Sequence, residues 1–363
     1  MSRRVKTPTE PQPAGPRESQ NAATLTEVAR RARVSAATVS RVLNQPRTVK
    51  PATRQVVEQA IQELKFHPNL HARMLAAGTS QTLGLIVSNL ENPFFLDIFR
   101  AMEDEAHRHD FELMVQNTDY DRVRLVAAVH QLLQYRVAGV AIIVSEMEPA
   151  LLAELTDSRI PAAIYDVGQP GEHITSIKVN YQLGVRKAVE YLFELGHRDM
   201  AFVGHHPGLK PLQGRREAFL EIMQNYRGRI RYATATGPDS PAGGQQAVRE
   251  ILTGGFRPTA ILCANDFMAL GALTELRGLG LEVPAQVSLV GFDNIKLAQH
   301  TWPPLASLDI PREAIGRVAL QAILPRGQGK HTGREWLLEP KLIVRESIAA
   351  PPGAVRHTAQ TNA

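Results

Sequence analysis

Val34-Ser35-Ala36-Ala37-Thr38-Val39-Ser40-Arg41-Val42-Leu43-Asn44 reads as a short helix with two unlike faces. Ser35 is a good N-cap, because its hydroxyl can accept from the free amides of the first turn. Val39, Val42 and Leu43 then form an apolar stripe at helical spacing. The other face carries Ala36, Ala37, Thr38, Ser40 and Arg41, which are small groups, hydroxyls and one guanidinium. A narrow face with donors and no carboxylate suits a helix that lies in the major groove of DNA.

One such helix is a weak signal, and its neighbours strengthen it. Upstream, Thr24-Leu25-Thr26-Glu27 is a Thr-x-x-Glu capping box that opens a helix with Leu25, Val28, Ala29 and Ala32 on its inner side. A tight turn follows at Ala32-Arg33-Val34. Downstream, Pro51 stands at a first helical position, and Val56, Val57, Ala60, Ile61 and Leu64 predict a third amphipathic helix. Helix, turn, helix, loop, helix is the pattern of a helix-turn-helix headpiece.

These residues, with Phe66-His67-Pro68-Asn69 and Ala72-Arg73-Met74-Leu75, resemble the headpiece and hinge of the LacI/GalR family of bacterial transcription regulators. The resemblance extends over residues 24–348, through Asn92-Pro93-Phe94-Phe95, Gly196-His197-Arg198, Ala264-Asn265-Asp266-Phe267 and Val290-Gly291-Phe292-Asp293. It implies a small all-α headpiece joined to an α/β, two-lobed effector domain of the periplasmic-binding-protein type. It also implies that Thr24, Ser35, Thr38, Ser40 and Asn44 face phosphates or support the recognition helix, while Ala36, Ala37 and Arg41 face base edges. A guanidinium can bond guanine O6 and N7 together, which makes Arg41 the foremost candidate for specific readout; the plainer alternative is a phosphate clamp. Two positions depart from the family pattern. Arg33 stands where the family usually has Gly, at a left-handed turn, and Lys50 stands where a capping Ser or Thr is common.

Residues 1–22, rich in Pro, Ser, Gln and Arg, read as a disordered basic arm, followed by a headpiece over 23–67. Residues 68–81 read as a hinge helix and linker, with Asn69 as its cap; the resemblance adds Asn69 and Ala72 to the DNA contacts and makes Leu75 a wedge entering from the minor groove. Charge supports this polarity. Residues 1–80 hold 13 Lys+Arg against 5 Asp+Glu, whereas the remainder holds 28 against 31. No apolar run is long enough to span a bilayer and no export signal opens the chain, so a cytoplasmic protein is expected. The single Cys263, in an apolar run, is expected to be a buried thiol; no metal site and no cofactor is expected.

From Thr82 onward, short apolar runs alternate with amphipathic segments. Leu83–Asn89, Glu112–Thr118, Gly139–Ser145 and Ala162–Val167 form one set; Met200–Gly204, Arg231–Thr236, Ala260–Asn265 and Val287–Asp293 form another. Two parallel-sheet lobes follow, one over about 82–180 and 311–330, the other over about 181–310 and 336–348. Residues 349–363 read as a disordered tail without the leucine heptads of a tetramer helix, so a homodimer is expected.

Ligands of such sheets bind at the carboxyl ends of strands. Asn92, Phe94, Phe95, Ser145, Asp166, Arg215, Asn265 and Asp293 fall there and are the candidate effector-binding residues. Their amide, carboxylate, guanidinium and phenyl groups suit a sugar, although Asn265 could equally cap a helix and the two Phe could be plain core. Val167 stands where the purine-binding member carries an aromatic. Gly196-His197-Arg198 reads as a structural turn. No nucleophile with a base and no phosphate-cradling loop appears, so an enzyme is not expected. The reading is a dimeric repressor of a pseudo-palindromic operator, double-stranded DNA, controlled by a small molecule, a sugar or sugar derivative. Control by a nucleobase, a nucleoside or a partner protein is the alternative.

Overall fold

The computed structural model describes residues 23–44, 48–66, 80–166, 168–206, 210–325 and 333–353. The chain divides into two units, Met1–Thr79 and Ser80–Ala363. In the first, α1 (Leu25–Ala32), α2 (Ala36–Asn44) and α3 (Pro51–Glu63) enclose Val28, Ala29, Val39, Val42, Val57 and Ala60. The capping box forms in both directions: Thr24 Oγ1 accepts from Glu27 N at 3.3 Å, and Glu27 Oε2 accepts from Thr24 N at 2.7 Å. Arg33 takes the left-handed conformation at φ 54°, ending α1 in place of a glycine. Ser35 Oγ accepts from Thr38 N at 3.1 Å and so starts α2. Lys50 makes no side-chain cap, and Pro51 alone marks the start of α3. The hinge positions Asn69, Ala72 and Leu75 lie outside the described residues.

The second unit contains two six-stranded sheets. The first joins β1 (Thr82–Val87), β2 (Glu112–Asn117), β3 (Val140–Ile143), β4 (Ala162–Tyr165), β5 (Ile174–Val179) and β11 (Glu335–Leu338), in the order β11-β5-β4-β3-β1-β2. The second joins β6 (Asp199–His205), β7 (Arg231–Gly237), β8 (Ala260–Cys263), β9 (Ser288–Asp293), β10 (Ala306–Asp309) and β12 (Lys341–Ile343), in the order β12-β10-β9-β8-β6-β7. The two orders are the same, and both are the doubly wound kind in which the direction of winding reverses beside the first strand. The reversal falls between β1 and β3 in one lobe and between β6 and β8 in the other. Central strands are buried along their whole length, as parallel strands covered on both faces must be.

Three crossings join the lobes: β5 into the helix Tyr181–Glu194, β10 into the helix Arg312–Ile323, and β11 into β12. The last corrects the expected boundary, which gave 336–348 to the second lobe. Glu335–Leu338 pairs in parallel with Ile174–Val179, and its first residue meets Lys178 Nζ at 2.6 Å. Only after Pro340 does the chain enter the second sheet, antiparallel to β10. The expected tail also begins too early. Ala349 is fixed by Ser288 at 3.0 Å and by the buried His197 ring at 2.8 Å, which makes Gly196-His197-Arg198 a structural turn. In the second lobe the helices Pro241–Thr253 and Asp266–Gly278 cross at glycines. A Cβ on Gly244 would stand 2.0 Å from Met268 O, and one on Gly271 1.7 Å from Pro241 O. Among the described residues no helix is long and apolar enough to cross a membrane.

Candidate functional site

Two surfaces carry the predicted residues. On α2, Ala36, Ala37 and Arg41 are exposed, Thr38 and Ser40 are half-buried, and Val39 and Val42 are buried in the headpiece core. The helix therefore presents the small and basic face outward because its β-branched stripe is consumed inward. Thr24 is exposed at the start of α1, with its hydroxyl engaged in the capping box. The side chain of Asn44 lies outside the described residues.

The second surface is the cleft between the lobes of the second unit, at the two winding reversals. From the first lobe come Asn92, Phe94, Phe95, Tyr120, Ser145 and Tyr165. From the second come Arg215, Asp239, Asn265 and Asp293. They surround a cavity of about 20 Å³, room for about one water molecule, so the lobes are closed on each other. Seven of the eight predicted effector residues are brought together here. Asp166 is the exception: at φ 57° its carboxylate turns back to accept from Val179 N at 3.0 Å and from the Tyr181 hydroxyl. It holds Tyr181 in place, whose ring lies 5.0 Å from the Arg215 guanidinium.

Several residues do two jobs. Asn92 Oδ1 caps the helix Pro93–Arg108 through Phe94 N at 3.1 Å, while its Nδ2 crosses the cleft to Asp239 Oδ2 at 3.4 Å. Asn265 Oδ1 caps the helix Asp266–Gly278 through Met268 N at 2.8 Å, while its Nδ2 donates to Asp239 Oδ1 at 2.7 Å. The cap and the site are one arrangement. Phe94 and Phe95 are buried and meet edge to face at 5.2 Å, with Tyr165 at 5.9 Å from Phe94, so they are both core and wall.

Arg215 lies under this layer, buried, with Nη2 3.0 Å from Asp293 Oδ1 and its guanidinium 4.2 Å from the Phe292 ring centroid. Burial pulls its pKa down and Asp293 overrides this, so Arg215 stays charged. Burial pushes Asp293 up to about 6 despite Arg215, and Asp266 behind it up to about 8. Asp293 is held at φ 99°, a backbone state that costs about 1–3 kcal/mol for a residue other than glycine. The next residue secures it: Asn294 O accepts from Arg312 Nη2 and Asn294 Oδ1 from Arg345 Nη2, both at 2.7 Å. His205 is pushed down to about 4 by burial and is neutral at pH 7.

Asp166 gives a pH-dependent expectation. Burial raises its pKa from 3.8 to about 6. A carboxyl that binds its proton more tightly when folded adds stability below its unfolded pKa, and that stability is lost as pH rises through 6. Asp166→Asn should therefore melt at a higher temperature relative to the parent at pH 7.5 than at pH 4, by calorimetry. A difference in melting temperature that is flat across this range would contradict the raised pKa.

Tyr120, Tyr165 and Asp239 are absent from the predicted set, although Tyr165 ends β4, Tyr120 and Asp239 follow β2 and β7, and the same carboxyl-end rule applies to all three. A wider hollow of about 870 Å³ lies at the opposite ends of the first lobe's strands, edged by the exposed Asp157, Arg159 and Glu172. Doubly wound sheets do not place ligands at that end. Among the described residues no group of His, Cys, Asp or Glu is placed to hold a metal ion. Cys263 is buried, and burial pushes its thiol pKa up.

Known proteins resemble both units of the chain. Residues 24–69 match the family described as bacterial regulatory proteins, lacI family, and residues 189–348 match the periplasmic binding protein-like domain. The HTH-type transcriptional repressor PurR of Serratia proteamaculans is 34% identical over 334 residues, 91% of this chain and 98% of that protein. Its counterpart in Yersinia pestis bv. Antiqua is 34% identical over the same shares. Among solved structures, the Lac repressor dimer bound to operator and the anti-inducer ONPF is 31% identical, with a TM-score of 0.77 over 90% of this chain and 99% of that one. The transcriptional regulator CelR in complex with cellobiose is 28% identical, with a TM-score of 0.65 over 90% and 99%.

Proposed function

The chain belongs to the lacI family of bacterial regulatory proteins and is a DNA-binding transcriptional repressor, and from that premise we propose that a small molecule bound in its cleft sets whether it holds its operator. The operator is a pseudo-palindrome read by a homodimer, through Arg41, Ala36 and Ala37 at base edges and through Thr24, Ser35, Thr38, Ser40 and Asn44 at or near phosphates. Asn69, Ala72 and Leu75 complete the contact. The effector is a sugar or sugar derivative. The observation that carries this is the convergence of amide, carboxylate and guanidinium groups with aromatic rings at both winding reversals, closed around one small cavity.

An effector can act only by binding two lobe arrangements unequally. The cross-cleft bonds of Asp239 define one of them, and lobes held apart by a bound molecule would define the other. A nucleobase or nucleoside is the second reading, favoured by the four aromatic rings, Phe94, Phe95, Tyr120 and Tyr165, that line the cavity and could pack against a planar base. The bound fraction on a selected operator duplex, titrated with sugars and then with nucleobases, tests both. Release or tightening by a sugar supports the first reading, response to a base alone supports the second, and no response to either class contradicts control through the cleft.

A further inference from the structure

Asp239 is one of the groups on which the two lobes meet. Its Oδ2 accepts from Asn92 Nδ2 at 3.4 Å and from the Tyr120 hydroxyl, both of the first lobe. Its Oδ1 accepts from Asn265 Nδ2 at 2.7 Å and stands 3.5 Å from His205 Nε2, both of the second. The carboxylate is thus surrounded by donors that any bound molecule must share or displace. Positive charge is scarce beside it. Of the described residues lining the cavity Arg215 alone is cationic, and Asp293, the Ala264 carbonyl and the faces of Phe292 and Tyr181 already engage it. A further carboxylate, Glu146, lies close enough to act on Tyr120. A phosphate or carboxylate entering here would face Asp239 and Asp293 across a poorly solvated gap, where Arg215 is already paired with Asp293.

We propose that Asp239 is the specificity-determining residue of the cleft: it selects effectors that bring hydroxyl or amino donors to its carboxylate in place of Tyr120 and Asn92, and it turns away anionic ones. The proposal rests on the reading of the cleft as an effector site and adds the chemistry that the effector must carry.

Isothermal titration of the full chain tests it, with D-glucose, D-ribose and D-glucosamine set against D-glucose 6-phosphate and D-glucuronate. The parent should bind a neutral or amino sugar at least about tenfold more tightly than the anionic probes, and Asp239→Asn should remove most of that margin, because one unit of buried negative charge is gone. Tyr120→Phe keeps the ring and the carboxylate but frees Oδ2 from its donor. It should tighten the same sugar about three- to tenfold, the net worth of one hydrogen bond. Tightest binding of a phosphate or an acid by the parent, a margin unchanged in Asp239→Asn, or weaker binding in Tyr120→Phe would each overturn the proposal. Binding of no probe by any of the three proteins would overturn the sugar reading of the cleft and this selection with it, whereas binding with an unaltered ranking would overturn the selection alone.

Discussion

Arg41→Ala is expected to cost the protein its choice among DNA sequences far more than its hold on DNA. Arg41 stands exposed on α2, and Val39 and Val42 on the buried side fix which way that helix faces. A bidentate guanidinium–guanine contact discriminates by about 1–3 kcal/mol, so the ratio of operator to random-duplex affinity should fall about ten- to a hundredfold. Binding to random duplex should fall little, and the slope of affinity against salt should change by less than one phosphate contact. The comparison needs both duplexes at several salt concentrations. An equal loss on the two, with the slope reduced by about one, would make Arg41 a phosphate clamp.

Arg215→Ala should have the larger effect on stability. The Arg215–Asp293 pair is buried at 3.0 Å, and removing one member leaves a buried carboxylate without its counter-charge. Such losses cost about 3–5 kcal/mol, and at about 2–4 °C per kcal/mol for a unit of this size the melting temperature should drop by roughly 6–20 °C. The response of operator binding to the effector should vanish. A second variant separates the two consequences. Arg215→Met with Asp293→Asn removes both charges with little change of volume and should recover part of the lost stability, because no unpaired charge stays buried and Asn tolerates the φ 99° backbone. It should not recover the response. A double variant that answers the effector normally would remove both residues from the binding site.

Much of the headpiece was legible because its signals are local. The Thr24–Glu27 box, the Val39–Val42 stripe and Pro51 each act within one or two turns, and the structure uses all of them. Even Arg33, an unfavourable residue for a left-handed turn, adopts φ 54°, since packing of α1 on α2 fixes the turn. The second unit was legible where strands are wholly buried and thus wholly apolar. Ile174–Val179 is hidden because Thr175, Ser176 and Lys178 interrupt its apolar run, and β11 because it is four residues long and Pro340 separates it from β12, which falls within the closing strand that the resemblance implies over Leu338–Ser347.

The cleft divides in the same way. Arg215, Asn265 and Asp293 could be placed because each belongs to a helix or strand end whose position the sheet order dictates. Asp239 and Tyr120 are 119 residues apart, on different sheets, and meet only where the two lobes close. Asp166 was placed in the cavity by its position after β4, yet its positive φ turns the carboxylate toward Val179 and Tyr181. Backbone sign at a single residue is not visible in a pattern of residue types.

Sequence-specific recognition of DNA by the face of α2 is open to a direct check, selection of binding sites from random duplex DNA by the purified full chain. Enrichment of a pseudo-palindrome is expected, its two halves recovered together by the parent and their preferred base pairs lost in Arg41→Ala. Recovery of no enriched sequence, with binding governed by salt alone, would contradict it.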